Sequence, residues 1–155
     1  MSEGEDTSGL ITIEASAHCD GPCGVYDPAS ARIAGEAVQS MTKKMLSLEC
    51  PDSCSDGTGM AAYLNTMSRY ATIKEEEAQK CKKELLVLWT DFFKPMHLET
   101  HPNLHDTFWK AAKLCSACKV EVSETHAQEL MDAIQEIHEL FWSVKERDVP
   151  WIRAS

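Results

Sequence analysis

The sequence predicts an all-α protein, an antiparallel four-helix bundle, on three observations. Apolar residues recur at helical spacing in four separate stretches, the connections between them are short and rich in Pro, Gly and Ser, and 155 residues suffice for one buried core but not comfortably for two domains. Each stripe is amphipathic, so each must bury against the others.

The first helix is signalled by Asp27-Pro28: an Asp satisfies free amides at a helix start, and Pro at the first position loses no hydrogen bond. Ile33, Ala37, Met41, Met45 and Leu48 form its stripe, ending near Glu49 to Pro51. Residues Cys50 to Gly59 read as a loop. A second pattern runs through Met60, Leu64, Met67 and Ala71, then Cys81, Leu85, Leu88 and Phe92, until Pro95 stops it. It is either one long helix or two with a kink near Lys74 to Glu77. Pro102 opens a third helix with Leu104, Phe108, Ala112 and Cys115, and Ser123 caps a fourth with Leu130, Ile134, Ile137, Phe141 and Val144.

Charge limits the partners. A net charge of −10 argues against nucleic acid and against anionic membrane surfaces, and no apolar run is long enough to span a bilayer. Seven cysteines cannot all pair internally, and a helical chain of this size does not need disulfides, so a reducing compartment, the cytoplasm, is expected. Residues 1–17 are acidic and lack both a basic start and a long apolar core. They read as a leader or propeptide, with the small residues Ala15-Ser16-Ala17 as the cleavage point. The bundle domain then spans residues 18–149, and residues 150–155 form a short C-terminal tail, apolar enough to dock.

One segment concentrates chemistry: His18-Cys19, then Cys23, in a loop bearing Gly21, Pro22 and Gly24. Thiolates are soft donors and imidazole is borderline, a set suited to zinc, copper or nickel. Taken alone, a Cys-x-x-x-Cys pair is also compatible with a disulfide or half a zinc site. A closed zinc site needs four protein ligands, and only three lie together here. Cleavage after Ala17 would free an α-amino group. That amine, the next amide nitrogen and two thiolates would make a planar set of the kind that favours Ni(II) or Cu(II).

The run His18-Cys19-Asp20-Gly21-Pro22-Cys23-Gly24-Val25-Tyr26-Asp27-Pro28-Ala29 resembles the nickel hook of nickel-containing superoxide dismutases. The resemblance extends to Ile73-Lys74-Glu75, to Leu88 through Pro95, to Pro102-Asn103-Leu104-His105 and to Phe141-Trp142, covering most of the chain from His18 to about Arg147. It implies a four-helix bundle carrying an N-terminal metal-binding hook, assembled as a homohexamer, with one nickel ion per chain and a processing protease that removes the leader. It implies superoxide as substrate, converted to oxygen and hydrogen peroxide by Ni(II)/Ni(III) cycling. His18 would give its amine and an axial imidazole, Cys19 its amide nitrogen and thiolate, and Cys23 the second thiolate. Pro22 would hold the turn, through a cis peptide. Tyr26 would cover the open face, Asp20 would order the hook, and Lys94 would attract the anion locally, although by itself Lys94 reads as a solvated surface charge.

Three positions depart from the family pattern. A carboxylate after Ala31-Arg32-Ile33 and an Arg shortly after Ile73-Lys74-Glu75 orient the axial imidazole in the family, whereas this chain has Ala34 and Glu77. Glu36 is the alternative acidic partner. Phe92 stands where a Tyr often accompanies the hook tyrosine. The departures keep a second function in play, a non-enzymatic nickel-binding bundle that retains the hook; a thiol redox module using Cys19 and Cys23 is a third. His97, His101 and His105 are spaced by four, but Pro95 and Pro102 break the helix that would align them, so they read as loop and surface residues. Cys115 reads as buried and Cys118 as incidental, and Trp89, Trp109 and Trp142 read as core.

Overall fold

The computed structural model describes residues 23–52 and 57–154. Among them are four α-helices and no strand: α1 (Ala29–Ser47), α2 (Gly57–Val87), α3 (Leu104–Val120) and α4 (Glu124–Val144). A π-helical turn, Leu88–Phe92, extends α2, and a 3-10 turn, Pro95–Leu98, follows it. No helix among these residues is long and apolar enough to cross a membrane.

The helices pack in a ring, α1 on α2, α2 on α3, α3 on α4 and α4 on α1. Side-chain bonds show the antiparallel register. Gln39 of α1 donates to Gln128 near the start of α4 at 2.9 Å, and Thr107 at the start of α3 donates to Glu136 in the second half of α4 at 2.9 Å. The starts of α1 and α3 therefore share one end of the bundle with the ends of α2 and α4. That arrangement brings residues near 26, 92, 97 and 145 together.

Local signals place the helix ends. The Asp27 carboxylate accepts from the Ala29 amide at 2.8 Å, and the Ser123 hydroxyl accepts from the His126 amide at 3.2 Å. Each satisfies an amide that the first helical turn leaves without a partner. α2 begins at Gly57, inside the span read as loop, and runs as one helix through the Lys74 to Glu77 region.

The buried face of α1 differs from its predicted stripe. Ala31, Ala34, Gly35, Val38 and Thr42 face the core, while Ile33 is 54% exposed. Close approach to α4 is the reason: a Cβ on Gly35 would come 2.5 Å from Ile134 Cδ1 and 3.0 Å from Met131 Sδ. Small residues must occupy that face, so the larger apolar residues turn aside.

The core joins Leu85, Leu88, Phe93, Leu104, Phe108, Leu130, Ile134, Ile137 and Phe141. Cys118 is buried together with Cys115 rather than incidental, and Trp109 is 54% exposed rather than core. The tail docks. His138 Nε2 donates to the Val149 carbonyl at 2.9 Å, the Trp151 ring centroid lies 5.2 Å from that of His138, and Arg153 donates to Gln39.

Candidate functional site

At the shared end of the bundle, α2 does not finish as a regular helix. The Phe93 amide bonds to the Leu88 carbonyl at 3.1 Å, five residues back, which is the widened turn of a π-helix. Pro95 then prevents α2 from continuing and opens the 3-10 turn instead. The side chains diverge: Phe93 is buried against Phe108, with ring centroids 5.3 Å apart, while half-buried Phe92 lies between Phe141 at 4.4 Å and Tyr26 at 5.6 Å.

Tyr26 is reached from Cys23 through Gly24 and Val25. Gly24 has φ +62°, a left-handed conformation that a side chain resists, and it bends the strand of chain just before α1. Cys23 is exposed and its thiol is not in a disulfide. Val25 is 71% exposed, whereas Tyr26 turns inward onto Phe92.

Gly24, Tyr26, Phe92, Lys94, His97 and Lys145 line a cleft of about 510 Å³. Asp91 also reaches it. Lys145 follows α4 directly and its ammonium lies 5.3 Å from the Phe92 ring centroid, a cation-π distance. His97 is held by an acceptor bond from the Lys94 amide to its Nδ1 at 3.1 Å. The cleft thus carries two lysine ammonium groups on a chain of net charge −10.

Of the side chains singled out from the sequence, Tyr26 and Lys94 share this cleft, and Cys23 lies one residue before Gly24 in its wall. His18, Cys19, Asp20 and the Pro22 peptide lie outside the described residues. Lys145 and His97 were not identified as site residues from the sequence: Lys145 lies three residues beyond the Phe141-Trp142 motif, and His97 reads as a loop histidine until the turn at Pro95 folds it back.

Ala34 is completely buried. Glu77 is half-buried, with Lys80 at 3.7 Å. Both oxygens of Glu36 accept hydrogen bonds, Oε1 from Arg32 at 2.7 Å and Oε2 from the Ala154 amide at 2.8 Å. Burial alone would raise the Glu36 carboxyl, but these bonds and the charges of Arg32 and Arg153 outweigh it and hold the group below its ordinary value.

Among the described residues no cluster of three or more His, Cys, Asp or Glu side chains is placed to hold a metal. The one metal-ligand candidate in the described part of the hook is Cys23. A thiolate there, joined by the thiolate, imidazole and nitrogen donors that residues 18 and 19 carry, is chemically suited to nickel.

The fold and the cleft define an all-α bundle with a functional face at its N-terminal approach. Residues 13–145 match the family model for nickel-containing superoxide dismutase. The chain is 40% identical over 133 residues to the nickel superoxide dismutase of Streptomyces seoulensis, covering 86% of this chain and 92% of that one. It is 38% identical over 133 residues to that of Streptomyces coelicolor, with the same coverage. A crystal structure of nickel-containing superoxide dismutase with nickel ligation corresponding to the oxidised state superposes with a TM-score of 0.71 at 39% identity, covering 84% of this chain and all of that one. The chain belongs to the nickel-containing superoxide dismutase family.

Proposed function

We propose that His18, Cys19 and Cys23 hold one nickel ion once the chain is cut after Ala17, and that Tyr26, Asp20 and Lys94 serve the site. The chain is a superoxide dismutase with a nickel cofactor. The observation that carries the assignment of residues is the position of Tyr26: three residues after Cys23, seated on Phe92, and in a cleft with Lys94 and Lys145.

When bound, nickel supplies the one-electron oxidation and reduction that turn superoxide into oxygen in one half-reaction and hydrogen peroxide in the other. The chain's own residues handle the anion. Lys94 and Lys145 provide local positive charge that the acidic whole does not, raising the rate of encounter. The Tyr26 ring, braced by Phe92, narrows the approach so that a two-oxygen anion passes more readily than a larger one. Asp20 orders the loop between Cys19 and Cys23.

Cleavage matters because three side chains do not complete the donor set, and the amine of His18 does. A processing protease acting after Ala17, assembly as a homohexamer and residence in the cytoplasm complete this reading. The alternative, a nickel-binding bundle without turnover, rests on one departure: position 34 is a buried methyl and supplies no carboxylate.

The test compares superoxide dismutation by nickel-loaded protein starting at His18, by nickel-loaded full-length chain, and by a trimmed Cys23→Ser variant. Activity confined to the trimmed wild type is expected. Full activity with residues 1–17 attached would overturn the role of the His18 amine. Nickel bound at one ion per chain without dismutation would favour the binding protein.

A further inference from the structure

Cys81, Cys115 and Cys118 are three free thiols in the core between α2 and α3, with 0%, 0% and 2% of their surface exposed. The register of the two helices is fixed by polar contacts on either side. Lys74 donates to the Lys119 and Glu121 carbonyls at 3.2 and 3.0 Å, Lys119 donates to Gln79 at 3.0 Å, and Lys82 donates to Ser116 at 3.1 Å. Lys82 and Ser116 are bonded across the two helices, so the residues just before them, Cys81 on α2 and Cys115 on α3, fall opposite each other in the core. Cys118 lies one turn further along α3.

We propose that Cys81 and Cys115 form a peroxide-responsive pair that closes to a disulfide between α2 and α3. The oxidant is hydrogen peroxide, a product of dismutation and therefore generated by this protein itself. In this scheme Cys115 is the nucleophile and Cys81 the resolving thiol. The Cys115 sulfur attacks one peroxide oxygen, the O–O bond breaks, and the other oxygen leaves as water with the thiol proton. The Cys81 sulfur then attacks the Cys115 sulfur, the S–O bond breaks, and the departing hydroxyl takes the Cys81 proton to leave as water. One S–S bond and two waters form from two thiols and one peroxide, and the two electrons lost by the sulfurs are those gained by the peroxide.

Burial sets when this happens. The neighbouring Cys115 thiol and loss of hydration hold the Cys81 thiol well above its ordinary value, and burial pushes Cys118 up to about 11. Protonated thiols react slowly, and peroxide, water-sized and neutral, reaches them through local opening of the bundle. The pair therefore stays reduced at low peroxide and closes under sustained exposure. The loop it closes contains Phe92, Lys94 and His97, so the bond ties together the segment that lines the cleft.

The test exposes nickel-loaded protein to added hydrogen peroxide, alkylates remaining thiols, and maps linked peptides without reduction. Because peroxide is supplied directly and the peptides containing Cys23 are read separately, the result does not depend on the proposed nickel ligands. A Cys81–Cys115 linked peptide is expected in the wild type and in Cys118→Ala, and in neither Cys81→Ala nor Cys115→Ala. The thermal midpoint of the oxidised wild type should rise by about 5 °C and return on reduction. Recovery of Cys81 and Cys115 as alkylated thiols after Cys23 has oxidised would overturn the proposal, as would a Cys115–Cys118 link in its place. A Cys81–Cys115 link that left the midpoint unchanged would overturn its role as a lock.

Discussion

Tyr26 rests on Phe92 with ring centroids 5.6 Å apart and planes tilted by 55°. The contact joins the segment before α1 to the widened end of α2, and through Phe92 it reaches Phe141 of α4. Truncating Phe92 to Ala removes the support of the tyrosine and part of an aromatic cluster. For a half-buried ring the cost should be about 2–3 kcal/mol, below the range for a fully buried one. Chemical denaturation should show that loss, and kcat/KM for superoxide should fall with it. Phe92→Tyr keeps the ring and should hold stability within about 1 kcal/mol.

Lys145 and Lys94 supply positive charge from two different elements, so they should act on the anion in parallel. Lys145→Gln should lower kcat/KM several-fold at low ionic strength, and the deficit should shrink as salt is added, because screening removes the steering the wild type enjoys. Pulse radiolysis over a salt series measures this. A deficit independent of salt would assign Lys145 to packing on Phe92 instead.

Gly35 tests the close approach of α1 to α4. Its replacement by Ala gains about 1 kcal/mol of helix propensity but presses a Cβ against the tip of Ile134. A flexible side-chain end can yield, so Gly35→Ala should be nearly neutral. Gly35→Val adds two more carbons where none fit and should destabilise by about 1–3 kcal/mol, read from the denaturation midpoint.

Acid should release the C-terminal tail. Glu36 is held below its ordinary value of 4.5, so the charged form is favoured by folding. Its contribution is complete above pH 4.5 and is lost as pH falls through the lower folded value. Hydrogen exchange at the Ala154 amide, which bonds to Glu36 at 2.8 Å, should accelerate over that window relative to neighbouring helix amides. In Glu36→Gln the acid-dependent step should disappear.

The sequence by itself determined the helices and the family. Apolar spacing marks α3 and α4 at Leu104, Phe108, Leu130, Ile134, Ile137 and Phe141, which are all buried, because a helix exposes its period directly in the chain. The hook motif is equally local, since its donors are consecutive or nearly so. Tertiary structure decided what depends on distance between helices. Which face of α1 is buried follows from the approach of Gly35 to Ile134, and a spacing rule that favours large residues selects the wrong stripe. Lys145 and Tyr26, more than a hundred positions apart, line one cleft because antiparallel packing puts the end of α4 beside the start of α1. Cys81 meets Cys115 for the same reason, through a register set by side chains on neighbouring helices that a periodicity read along one helix does not contain.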